Sequence, residues 1–148
     1  MHGDSLILNF DHEADSFLVV LDKANGELRW RVERDEPTSW APPLVVEYKG
    51  RTELVVGGTN KVRSYDLATG EIHWECAGLG TNTIPTPILF EDTVTVMSGH
   101  RNPKIMAIEL GREGDLTDTD AVRWSSTKGV PYTASPVLRG TELYALQD

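Results

Sequence analysis

Cysteine is nearly absent: Cys76 is the single one in 148 residues. An internal disulfide is therefore impossible, and no CxxC or Cys/His pairing suggests zinc. A small disulfide-stapled module is excluded, whereas a large exported β domain, which needs no staples, is not. Basic residues are also few, 14 against 23 acidic, for a net charge of −9. Nucleic acid rewards clustered Lys and Arg, so it is not an expected partner. The negative charge serves solubility. Long apolar runs are missing as well. No stretch approaches the ~20 apolar residues of a membrane span, and the chain does not open on a secretory signal pattern. No Gly-x-Ser-x-Gly elbow frames a serine, and Gly57-Gly58-Thr59-Asn60 lacks the lysine and following helix of a phosphate loop.

Repetition is what the chain does have. Asp22-Lys-Ala-Asn-Gly26-Glu-Leu-Arg-Trp30 returns as Asp66-Leu-Ala-Thr-Gly70-Glu-Ile-His-Trp74, with the tryptophans 44 residues apart. A looser copy ends at Trp124, 50 residues further on. Pro43-Leu-Val, Pro87-Ile-Leu and Pro136-Val-Leu travel with it at steps of 44 and 49. Short strands at a period of ~40–50 residues are the mark of a propeller blade, a four-stranded sheet that cannot bury its faces alone. The expectation is an all-β fold, a partial β-propeller of antiparallel blades with roughly three and a quarter repeats. The blade pieces fall at about 1–35, 36–79, 80–128 and 129–148. Because the chain opens and stops within a repeat, it reads as a fragment of a larger propeller, with open blade edges that invite self-association.

The expected strands are 5–9, 17–22 and 27–33 in the first repeat, then 43–48, 53–56, 61–66 and 71–76. The third repeat supplies 87–90, 93–97, 104–110 and 121–125, and the last 136–138 and 142–146. Alternation places Leu28, Trp30 and Val32 on one face of a half-buried outer strand, with Glu27, Arg29 and Arg31 on the other. Ile72, Trp74 and Cys76 repeat the pattern, so Cys76 is expected as a buried, inert thiol. The three tryptophans are expected to pack across to a neighbouring blade. A helix over 11–23 is rejected, because its apolar residues bunch in one run. In Asp-x-x-x-Gly the aspartate starts a turn and the glycine closes it with positive φ. The third repeat replaces this turn with residues 111–120, expected as a lengthened surface hairpin. Asp115, Asp118 and Asp120 lack calcium-loop spacing and read as a solvated loop.

The phrase Leu21-Asp-Lys-Ala-Asn-Gly-Glu-Leu-Arg-Trp30, its copy Tyr65 to Trp74, and the lead-ins Trp40-Ala-Pro-Pro43, Ile84-Pro-Thr-Pro87 and Thr133-Ala-Ser-Pro136 resemble the quinoprotein-like, or PQQ-like, propeller repeats of bacterial proteins. That family includes alcohol and sugar dehydrogenases holding pyrroloquinoline quinone beside calcium, outer-membrane assembly lipoproteins, and non-catalytic repeat proteins. The resemblance implies a periplasmic or secreted location. The dehydrogenases' catalytic aspartate, calcium ligands and adjacent cysteines match no position here. The expected function is thus a non-catalytic binding scaffold for protein, peptide or carbohydrate, with a quinoprotein dehydrogenase segment as the alternative. No cofactor or metal site is evident, and quinone with calcium has no supporting residues.

In propellers of this phrase, two sets of loops gather at one end of the channel. The resemblance therefore implies ligand-rim candidates at Ser39, Trp40, Asn60, Asn82, Thr83, His100, Arg101, Asn102 and Tyr132, with Thr38, His12 and Thr133 nearby. His100-Arg101-Asn102 is the best polar cluster, able to move protons or grip an anion. No partner acid or second histidine is set by spacing.

Overall fold

Four small sheets, antiparallel but for one added strand, follow one another along the chain, with no helix among the described residues. A computed structural model describes residues 1–147; Asp148, the end of the expected fourth piece, lies outside the described residues. The first sheet is β1 (Ser5–Phe10), β2 (Ser16–Asp22) and β3 (Leu28–Arg34). The second is built on β4 (Leu44–Tyr48), β5 (Arg51–Val56), β6 (Val62–Asp66) and β7 (Ile72–Cys76). The third contains β8 (Ile88–Phe90), β9 (Thr93–Ser98), β10 (Lys104–Glu109) and β12 (Val122–Ser126). The fourth is the hairpin β13 (Val137–Arg139) and β14 (Glu142–Tyr144). The short β11 (Gly114–Asp115) is treated below. The fold is a partial β-propeller, and each sheet is a blade.

The repeat is real at the level of register. Trp30 stands opposite Val20, Trp74 opposite Ser64 and Trp124 opposite Ala107. The pairing then slips at the next residue of the partner strand in all three sheets. Equivalent sequence therefore occupies equivalent places, bulge included.

The turns explain the repeated phrase. The Asp66 carboxylate accepts the backbone N–H groups of Ala68 and Thr69, both at 2.8 Å, and Gly70 donates to the Asp66 carbonyl at 2.9 Å. Gly70 sits at φ 79°, where side chains are strained. A Cβ there would also lie 2.8 Å from the Trp30 ring. Glycine is thus required twice, by the turn and by the blade that leans on it.

The core lies between sheets. Leu18 and Val20 meet Leu54, Val56 and Tyr65 at the first seam. Val55, Val62, Trp74 and Cys76 meet Val94, Val96, Met106 and Ile108 at the second. Cys76 is fully buried, and burial pushes its thiol up to about 11, so it is an inert packing group. Trp74 is 0% exposed, and Trp30 reaches across its seam to donate to the Leu67 carbonyl at 2.9 Å. Trp124 departs from expectation at 46% exposed. Its register is the same, but only the β13–β14 hairpin stands beside it.

The insertion at 111–120 also departs from expectation. It is not a free hairpin. It crosses to the preceding blade, where β11 adds parallel to β7 as a fifth strand. Leu116 donates its N–H to the Glu75 carbonyl at 2.8 Å and buries its side chain in the second seam. Asp115 is ion-paired to Lys61 at 3.2 Å. Hydrogen bonds from Thr117 and Lys61 hold its carboxyl down at about 2. One aliphatic residue within an acidic stretch converts a solvated loop into an edge cover.

Candidate functional site

Loops from successive blades touch one another in series at one end of the sheets. The β1–β2 loop meets the first inter-blade linker, where Asp11 and Ser39 form an isolated β-bridge. That linker meets the next, since Trp40 and Ala41 both donate to the Thr83 carbonyl, at 2.7 and 3.0 Å. Asn82 donates its N–H to Thr59 Oγ1 at 3.3 Å, tying the second linker to the β5–β6 loop. Thr81 bridges Arg101 of the β9–β10 loop. His100 then stacks on Tyr132 of the third linker, with ring centroids 5.0 Å apart.

The candidate residues fall along this belt but play unlike parts. Ser39 and Thr83 turn inward, at 4% and 1% exposed. The Ser39 hydroxyl is spent on Asp11 at 2.6 Å, and Thr83 Oγ1 has no hydrogen-bond partner. Asn60 is exposed, yet its amide donates to the Asp35 carbonyl. Asn82 and Asn102 hold positive φ, at 60° and 54°, a backbone role that asparagine tolerates. Thr38 offers its carbonyl to Thr59, and His12 accepts from the Ala14 N–H at 3.2 Å. His100, Arg101 and Thr133 are exposed, and Tyr132 is half-buried. Trp40 is 55% exposed although its backbone is pinned. With Phe10 it lines a cleft of about 420 Å³, together with Asn9, Ala41, Pro42 and Pro43 among others.

Beneath the rim lies a charge network that composition did not reveal. Arg34 and Asp11 are both fully buried and bind through two hydrogen bonds, at 2.8 and 3.1 Å. Arg34 also donates to the Tyr65 hydroxyl at 2.5 Å. Burial pushes the guanidinium down, but Asp11, Tyr65 and Glu36 together more than compensate, so it stays charged. A second node joins Arg63 to Glu36 at 2.7 Å, while Glu36 also accepts the N–H groups of Asn60 and Lys61. Burial raises the Glu36 carboxyl, and these partners only partly offset it. Gly58 is needed here by close approach, for a Cβ would sit 2.5 Å from the Glu36 carboxyl carbon. This network rigidifies the linker that presents Trp40. The one sequence hint was charge, Arg34-Asp-Glu36, directly after an outer strand.

The buried acids of this rim are not free to hold calcium. Asp11 and Glu36 are each committed to a buried arginine and to further donors. A divalent cation would have to displace a guanidinium from either. Among the described residues no three His, Cys, Asp or Glu side chains converge in a metal-holding group.

A family model described as "Outer membrane protein assembly factor BamB" matches residues 14–148. No curated protein matches the chain in sequence. Among solved structures, BamB from Moraxella catarrhalis is similar at 19% identity and a TM-score of 0.69, covering 97% of this chain and 44% of that one. Quinohemoprotein alcohol dehydrogenase from Comamonas testosteroni is similar at 17% identity and a TM-score of 0.52, covering 81% of this chain and 19% of that one. At these identities the likeness is one of fold. The chain spans less than half the length of either structure.

Proposed function

We propose, for a chain that belongs to the PQQ-like propeller family described as outer membrane protein assembly factor BamB, a non-catalytic scaffold that holds protein partners at its loop rim. The supporting observation is the cleft between Phe10 and Trp40, two exposed aromatic rings, one at the end of β1 and one on the first linker, beside a buried charge network that keeps the linker still. Exposed aromatics on a rigid frame bind with little entropy cost and recur as binding hot spots. The partner class is an extended polypeptide, such as an outer-membrane protein on its way to assembly, and the compartment is the periplasm. No helix of the described residues is long and apolar enough to cross a membrane. The reading places no quinone or calcium in this segment.

The test uses the whole protein and a fluorescent, unfolded outer-membrane barrel polypeptide. Trp40→Ala is expected to weaken binding roughly tenfold, the scale of a single aromatic hot spot. Its thermal melt should stay put, since Trp40 is more than half exposed. Undiminished affinity moves the site off this rim. A saturable absorbance change with pyrroloquinoline quinone and calcium, with dye reduction by an alcohol, would replace the scaffold with an oxidoreductase.

A further inference from the structure

The chain contains its own example of strand addition, and a second edge of the same make stands open. On β7 the added segment is residues 113–117. Gly114 lies opposite Trp74 and Asp115 opposite Glu75. Thr117 Oγ1 accepts the N–H of Ala77 at 3.0 Å, and Leu116 is 5% exposed beside Trp74 and Cys76. The edge is acidic at Glu75, and Lys61 bridges it to Asp115.

The first blade repeats this edge without its cover. By register, Trp30 is the counterpart of Trp74, Arg31 of Glu75 and Val32 of Cys76. The short turn that follows β6 stops at the Trp30 ring, whereas the insertion of the third repeat runs on past Trp74. β3 is therefore a terminal strand, with Trp30 and Val32 only half-buried and Leu28 61% exposed. The position of Lys61 is taken by Phe17, and the cation has moved onto the edge itself. Arg31 lies over the Phe17 ring, 3.7 Å from its centroid, and pairs along its own strand with the exposed Glu33 at 2.8 Å.

We propose that the outer edge of β3 is a docking strip for an extended acidic segment of a partner protein. The segment adds parallel to β3, as β11 does to β7, with an aspartate against Arg31 and an aliphatic side chain over Trp30 and Val32. Backbone pairing supplies affinity, and the two side-chain positions supply selectivity. Because Arg31 replaces Glu75, the aspartate needs no bridging lysine; it shares the guanidinium with the exposed Glu33. This strip is separate from the loop rim, so it does not depend on the scaffold reading above.

The probe is the peptide Glu-Gly-Asp-Leu-Thr, the segment that β7 already accepts. It is titrated into the isotopically labelled chain while backbone amide shifts are followed. Saturable shifts are expected at residues 29–33. Arg31→Glu should weaken binding about tenfold, as reversing a facing charge does. Arg31→Pro, which removes an edge N–H, should abolish it. A peptide with lysine for aspartate should not bind, and Trp40→Ala should leave affinity unchanged. Shifts confined to residues 74–77 would mean exchange with β11 and would overturn the proposal. So would equal affinity in Arg31→Glu with its circular dichroism spectrum intact.

Discussion

Asp11→Ala is expected to destabilise the chain by about 3–5 kcal/mol, the cost of leaving a buried charge without its partner. The Arg34 guanidinium has no accessible surface and donates two of its hydrogen bonds to that carboxylate. Water cannot replace them without opening the seam between the first two blades. Ser39 would also lose its acceptor, freeing the linker that carries Trp40. In a thermal melt this amounts to a fall in Tm of roughly 10 °C for a chain of this size. The double variant Asp11→Ala, Arg34→Met should recover much of the loss, because it removes the stranded charge as well as the pair. A single variant that melts within about 2 °C of the parent would show that Arg34 reaches water.

Trp74→Ala should cost a similar ~3–5 kcal/mol, for a different reason. The ring is fully buried between the second and third blades, so truncation opens a large cavity. The indole N–H also donates to Glu53 at 2.9 Å. Burial pushes the Glu53 carboxyl up, but hydrogen bonds from Ser64, Arg51 and Trp74 outweigh it and hold it below the usual range. A carboxyl depressed in the folded state stabilises above its unfolded pKa, and that contribution fades as pH falls towards its folded value. Trp74→Phe keeps most of the volume and loses the donor, so its deficit should be smaller and should shrink in acid. Trp124→Ala is the control. At the same register but nearly half exposed, it should cost under about 1 kcal/mol. Equal losses for the two tryptophans would contradict the seam described for Trp74.

The rim was only half legible. Alternation and turn residues placed loops between the strands, the family resemblance implied that those at 38–40, 82–83, 100–102 and 132–133 gather at one end, and they do touch in series. Which side chains face outward was not readable. Ser39 and Trp40 are adjacent, yet one is buried on Asp11 and the other exposed. Loop residues carry no periodicity, so neighbours in sequence share no rule for direction.

Strands, turns and the repeated tryptophan register were determined by the sequence alone. Each rests on forces acting within about ten residues, side-chain alternation and the Asp-x-x-x-Gly turn among them. Tertiary structure alone decided the rest. Asp11 finds Arg34 across 23 positions and Tyr65 joins across 31 more. Residues 113–117 leave their own blade to cover another, and Trp124 stays half exposed where Trp74 is sealed. These outcomes depend on what a neighbouring blade places opposite a residue, and a one-dimensional pattern does not encode that.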